Sequence, residues 1–191
     1  MKNCNFASMK DFLPVLKILL RFVIIYIVFV LLYQFYLNSY ENDVVDPFTR
    51  WVGVQVASIQ DILGYPTVLV DHLKLHSILF QTNGKFTTRM VEGCNVISVA
   101  ILFSSFIFAF YKGVKTFLFV LAGLVILHIL NVSRIALLNI IYLKYPKYEK
   151  VGHDYIFPAI IYGGVIILWL VWIQFFALKK RKVESTAAES K

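Results

Sequence analysis

Apolar residues fall into four long runs, at 13–37, 96–111, 116–143 and 156–178, and polar residues gather between them. A helix of a soluble protein keeps its apolar residues on one stripe with charge opposite, whereas these runs are apolar all round. About 20 residues cross the hydrocarbon of a bilayer, so each run predicts a transmembrane helix. The run 96–111 is short for a span, which predicts a start near Asn95 or a thinned bilayer around it. The run 116–143 is long, which predicts tilt or last turns standing above the membrane. The predicted class is an all-α polytopic membrane protein. Residues 1–182 form a single integral domain and 183–191 a disordered tail. The first run has no small-residue cleavage pattern after it, so it predicts a retained anchor.

The segment 38–95 is too long for a plain connector, and its pattern predicts structure. In "RWVGVQVASIQDILG" (50–64), Trp51, Val54, Ile59 and Ile62 recur with helical periodicity, which predicts a short helix lying in the membrane interface. In "LHSILFQTNGKFTTRMVEG", β-branched and aromatic residues flank Asn83-Gly84. That dipeptide suits a type I′ turn, which needs positive φ at both central residues, so a β-hairpin is predicted to lead into Cys94.

Composition agrees with the pattern. The 191 residues are 59% hydrophobic with a mean hydropathy of +0.73, against roughly 45–50% apolar content in soluble domains. The net charge of +8 does not point to nucleic acid, because no soluble basic domain carries it. It reports orientation instead. The N-terminal segment with the start of the first run, the turn at 112–115 and the C-terminal tail together hold eleven basic residues and three acids. The segments 38–95 and 144–155 hold seven basic residues and eight acids. The positive-inside rule therefore predicts both termini in the cytoplasm and those two segments outside.

Three ionisable groups from different runs gather at the predicted outer face. Cys94 opens the second run, where free helix N–H groups favour a thiolate; a free Cys at such a place is also often a buried small hydrophobe. Cys4, on the other side, cannot pair with it. Arg134 lies inside the third run, nine residues before Leu143, about 13 Å from that end at about 1.5 Å per residue. A guanidinium at such depth costs a few kcal/mol and marks a paired or functional position, unless it snorkels to the interface. Asn131, three residues earlier, is placed to hold it. His128 lies deeper and reads as a packing residue. His153 precedes the fourth run, where Pro158 suits the first turn of a helix.

A thiol, a guanidinium and an imidazole suit acyl transfer, as nucleophile, charge stabiliser and proton carrier. A zinc site suits the residues less well, and no cofactor is expected. His72 and His76 have a helical i, i+4 spacing, but "VLVDHLKLHSILF" reads equally as strand. Two other readings use the same residues: a non-catalytic assembly factor with Arg134 paired to a partner's acid, and a transporter subunit with Arg134 binding substrate. The pair Gly163-Gly164 predicts close helix packing under any of them.

Taken together, "EGCN" opening one span, "NVSR" in the next and "GHD" before the last resemble the exosortase/archaeosortase family in its short form, over residues 83–178. The resemblance implies a membrane-embedded cysteine protease or transpeptidase of a bacterial cytoplasmic membrane, with its active site facing outward. Its partners would be the bilayer and exported proteins that end in a short motif, a transmembrane helix and a basic tail, with a surface glycan or lipid as possible acceptor. It implies Cys94 as nucleophile, Arg134 as charge stabiliser and His153 as general base and acid, with Asn131, Glu92, Asn95 and Asp154 in support. Family members commonly carry glycine two positions after the cysteine, where this chain has Val96. A β-branched residue resists glycine-type backbone, which predicts an altered turn there.

Overall fold

The computed structural model describes residues 9–41 and 44–177, without the side chains of 9–12, 149, 153, 157 and 177. The predicted tail at 183–191, Cys4 and the last residue of the fourth run lie outside the described residues. The fold is about 75% helical. Its helices are α1 (Met9–Asn38), α2 (Pro47–Ile62), α3 (Ile97–Ala109), α4 (Val114–Lys144), the single turn α5 (Glu149–Val151) and α6 (Phe157–Trp172). A π-helical turn, Gly152–Ile156, joins α5 to α6, and a second, Ile173–Ala177, extends α6. Three strands, β1 (Thr67–His72), β2 (Ser77–Thr82) and β3 (Lys85–Met90), lie between α2 and α3.

Among the described residues, three helices are long and apolar enough to cross a membrane: Leu13–Asn38, Val114–Lys144 and Asp154–Phe176. The predicted span at 96–111 is the exception. Its helix has 13 residues, about 20 Å at about 1.5 Å per residue, against a hydrocarbon thickness of about 30 Å. The shortening has a local cause. The chain is still turning at Cys94 and Val96, and Gly113, at φ 71°, bends it into α4.

The described residues are mostly helical, and the predicted hairpin is part of a small three-stranded sheet. Asn83 and Gly84 have φ of 51° and 76°, as a type I′ turn demands, and they join β2 to β3. The stretch that reads equally as strand or helix supplies β1, antiparallel to β2, from Thr67 beside Thr82 to His72 beside Ser77. His72 and His76 therefore sit at a strand end and in a left-handed turn, and not on one helical face.

Two apolar cores are stacked along α4. The first packs Phe103 and Ile107 of α3, Val120 and Leu127 of α4, and Val165 and Trp172 of α6. Gly123 is the close-approach point of this bundle: a Cβ there would meet the Phe103 ring at 2.3 Å. The second core packs Val52 and Val56 of α2, Phe80 and Met90 of the sheet, and Val132, Ile135 and Ala136 of α4. The C-terminal half of α4 thus packs against the sheet and α2. Asp46 caps α2 by accepting from the backbone N–H groups of Phe48 and Thr49, and Pro47 needs no partner at the first helical position. Trp51, Val54, Ile59 and Ile62, the stripe assigned to the interface, are all exposed, while Val52 and Val56 face the protein.

Candidate functional site

The turn bearing Cys94 is held from three directions. Val91 follows β3 and accepts the Cys94 N–H at 2.8 Å. Asn131 of α4 donates through Nδ2 to the Cys94 carbonyl at 2.9 Å. On the far side, Asn95 is 1% exposed. Its Nδ2 donates to the Tyr33 hydroxyl of α1 at 3.0 Å and to Thr49 Oγ1 of α2 at 2.9 Å, and its Oδ1 accepts the Ile97 N–H at 3.0 Å. Behind it, the fully buried Asp46 accepts from the Thr49 hydroxyl and, at 3.1 Å, from the Tyr36 hydroxyl. A buried amide is stable only when its groups are bonded, and this network bonds them while tying α1 and α2 to the cysteine turn.

Val96 departs from the expectation for a β-branched residue. It takes the left-handed backbone a glycine would take, with φ 71° and ψ −8°, and caps α3. Such a conformation costs about 1–3 kcal/mol and persists only where neighbours impose it. Here the Asn95 bonds on one side and the burial of the Val96 side chain on the other impose it.

Cys94 is half-buried and faces a cavity of about 320 Å³. Arg134 lines the same cavity, with Ile135, Leu138 and Tyr142 of α4 along one wall and Thr87, Thr88, Arg89 and Met90 of β3 along the other. The sequence-predicted thiol and guanidinium therefore meet at one space. Among the described residues no carboxylate pairs with Arg134, and its Nε is buried without a hydrogen-bond partner. A guanidinium with an unused buried donor beside a thiol is disposed to receive an acceptor oxygen from whatever fills the cavity.

The supporting residues divide. Asn131 is bonded to the cysteine turn and not to Arg134. Glu92 turns toward α1, where it lines a separate cavity of about 590 Å³ with Gln34, Asn38, Glu41 and His76. Burial, then the nearby Asp46 carboxylate, raises the Glu92 carboxyl above its ordinary value of 4.5. The folded state thus favours protonated Glu92. Its stabilising contribution is present below about pH 4.5 and is lost as pH rises through the higher folded value. Glu92→Gln is therefore expected to melt above the unaltered protein at pH 7, with the difference shrinking toward pH 4.5, in paired thermal melts in detergent. His153 and Asp154 lie in the π-helical turn before α6, where Asp154 is exposed. His128 packs as read, bonded to Gln55 at 2.7 Å and stacked on Trp51.

Sequence reasoning misses Asn139. It is fully buried, donates to Gln60 Oε1 at 3.1 Å, and accepts from the hydroxyls of both Thr87 and Thr88. This clamp fixes β3 against α4 and so sets the spacing of the cavity walls. The available signal is an amide inside the apolar run "IALLNIIYL", the same signal that singles out Arg134. The chain matches no protein-family model, no curated protein and no solved structure.

Proposed function

We propose that the protein is an exosortase-like cysteine peptidase or transpeptidase of a bacterial cytoplasmic membrane. It cleaves C-terminal sorting signals of exported proteins at the outer face and passes the acyl group to water or to a surface glycan or lipid. The observation that carries this reading is the cavity shared by Cys94 and Arg134.

The chemistry follows from the groups. The Cys94 sulfur attacks the scissile carbonyl carbon, and the carbonyl π electrons move onto oxygen. Arg134 donates to that oxyanion through a guanidinium already positioned in the cavity, the arrangement that stabilises such intermediates most. His153, assigned by the resemblance, takes the thiol proton and returns it to the amine as the C–N bond breaks. A thioester on Cys94 remains, which water or an acceptor nucleophile opens, restoring the thiol. Asn131 and Asn95 act as positioning residues for the turn that holds the sulfur.

The test is mass spectrometry of the C-termini of surface proteins. Cells whose only copy carries Cys94→Ser are expected to lose a set of new C-termini and to retain the matching uncleaved proteins. Identical sets of termini in the two strains sink the peptidase reading.

A further inference from the structure

The sheet has the order β1-β2-β3, so β3 is an edge strand. Its partner on one side is β2, and no backbone hydrogen bond joins its other side to any described element. This open side lies at the reactive cavity, whose wall includes Thr87, Thr88, Arg89 and Met90. Thr87 and Thr88 face α4 through Asn139 and Met90 packs against it, whereas the exposed Arg89 between them belongs to the other face, so a space lined by all four reaches round the strand's edge at Arg89.

The register identifies the free backbone groups. Across the two-residue turn, Thr82 and Lys85 form the first pair, hydrogen-bonded in a hairpin of this type. Gln81 and Phe86 form the next, non-bonded pair, which aims the Phe86 N–H and C=O away from β2. The register then shifts between Leu79 and Gln81, so that both Thr87 and Thr88 stand opposite Phe80 in a β-bulge. Beyond it Leu79 faces Arg89 in a second non-bonded pair, aiming the Arg89 N–H and C=O outward as well. The bulge also turns both threonine hydroxyls onto Asn139. An unpaired edge of this kind is a template for another strand.

Resting on the peptidase reading, we propose that the substrate docks as an extended strand along the free edge of β3, parallel to it, and so carries its scissile carbonyl to Cys94. The direction follows from the chain. β3 runs toward the cysteine turn, and α3 leads from that turn into the apolar bundle. A substrate whose cleavage motif precedes a transmembrane helix runs the same way, with the residues before the scissile bond beside β3. Main-chain bonds to Arg89 and Phe86 supply affinity independent of sequence, and the cavity between β3 and α4 selects alternate side chains. Because Thr87 and Thr88 share one position, the four wall residues of β3 span about 10 Å at about 3.3 Å per residue, beside a substrate segment of about three residues.

The probe is acetyl-Val-Val-Val-Ala chloromethyl ketone, with chloroacetone as the small reference, applied to the full chain in detergent. The Cys94 thiolate displaces chloride to form a thioether, and mass spectrometry locates the product at Cys94. The peptide probe is expected to alkylate Cys94 at least tenfold faster than chloroacetone. N-methylation of its amides one at a time is expected to slow it by about 3- to 10-fold at alternate positions, as loss of one hydrogen bond does. Arg89→Pro, which removes an outward N–H without breaking the β2 ladder, is expected to reduce the advantage over chloroacetone to a similar extent. A peptide probe no faster than chloroacetone, or N-methyl effects without a period of two, overturns strand addition while leaving the peptidase reading intact. Failure of both reagents to reach Cys94 overturns both. The N-methyl series uses the unaltered chain, so it decides the matter even if Arg89→Pro does not fold.

Discussion

Arg134→Met lowers the rate of Cys94 acylation by about 10²- to 10³-fold and leaves the melting temperature unchanged or raised. The two halves of this result have different origins. Loss of a positioned donor to an oxyanion removes about 3–4 kcal/mol of transition-state stabilisation, because the intermediate's charge then loses the hydrogen bond aimed at it. Stability moves the other way because the Arg134 Nε is buried and unbonded and no carboxylate among the described residues pairs with the guanidinium. An apolar side chain of similar length then replaces a half-buried cation that has one buried, unbonded donor, a change that is neutral or favourable. Single-turnover labelling with a chloromethyl ketone does not build the same oxyanion as hydrolysis, so the measurement uses a thioester-forming peptide substrate, with a thermal melt of the same preparation. A variant that melts well below the unaltered protein with acylation intact assigns Arg134 to packing and removes it from the site.

Asn95→Ala lowers stability by about 3 kcal/mol and slows acylation together with it. Three hydrogen bonds to a residue only 1% exposed are lost at once, each worth about 1 kcal/mol and more where a buried group is left unpaired. The catalytic loss has a separate cause. Without the Asn95 acceptor, the Ile97 N–H no longer fixes the start of α3, and Val96 is free to leave its left-handed backbone. The cysteine turn then samples other geometries. Denaturant unfolding in detergent reads the first effect. The second is read as a fall in the acylation rate at temperatures where the variant is still folded, which Val96→Gly in the Asn95→Ala background partly restores. An acylation rate unchanged in folded Asn95→Ala rules out a positioning role.

Much of this fold is legible in the sequence because a membrane leaves few alternatives. Runs of about 20 apolar residues have one economical structure, and three of the four predicted runs form long helices. The exception, α3, is apolar enough but is cut short by a turn whose geometry depends on Asn95, Tyr33 and Thr49, residues far apart in the chain. Local chemistry likewise singles out Cys94 and Arg134, since a thiol at a helix mouth and a cation in hydrocarbon are each costly or reactive by themselves. Partners are less legible than candidates. Asn131 is near Arg134 in sequence, yet its amide reaches across to the Cys94 carbonyl. The Asn139 clamp joins residues about fifty positions apart, a pairing that no local pattern encodes. The expectation for Val96 fails for the opposite reason. Local propensity is a small term, and a cost of about 1–3 kcal/mol is overridden when the surroundings demand the conformation.

The division of α4 between two cores has a consequence for biogenesis. The sheet and α2 are synthesised before the helix that completes their core, with about 40 residues separating Met90 from Val132, Ile135 and Ala136. At about 5–20 residues per second this interval lasts roughly 2–8 s. During it Phe80 and Met90 have α2 but lack the cover of α4, and the nascent layer is open to degradation or to shielding by a chaperone. Cys94 also leaves the ribosome well before Arg134, so the unfinished chain holds the thiol without the guanidinium that lines the same cavity.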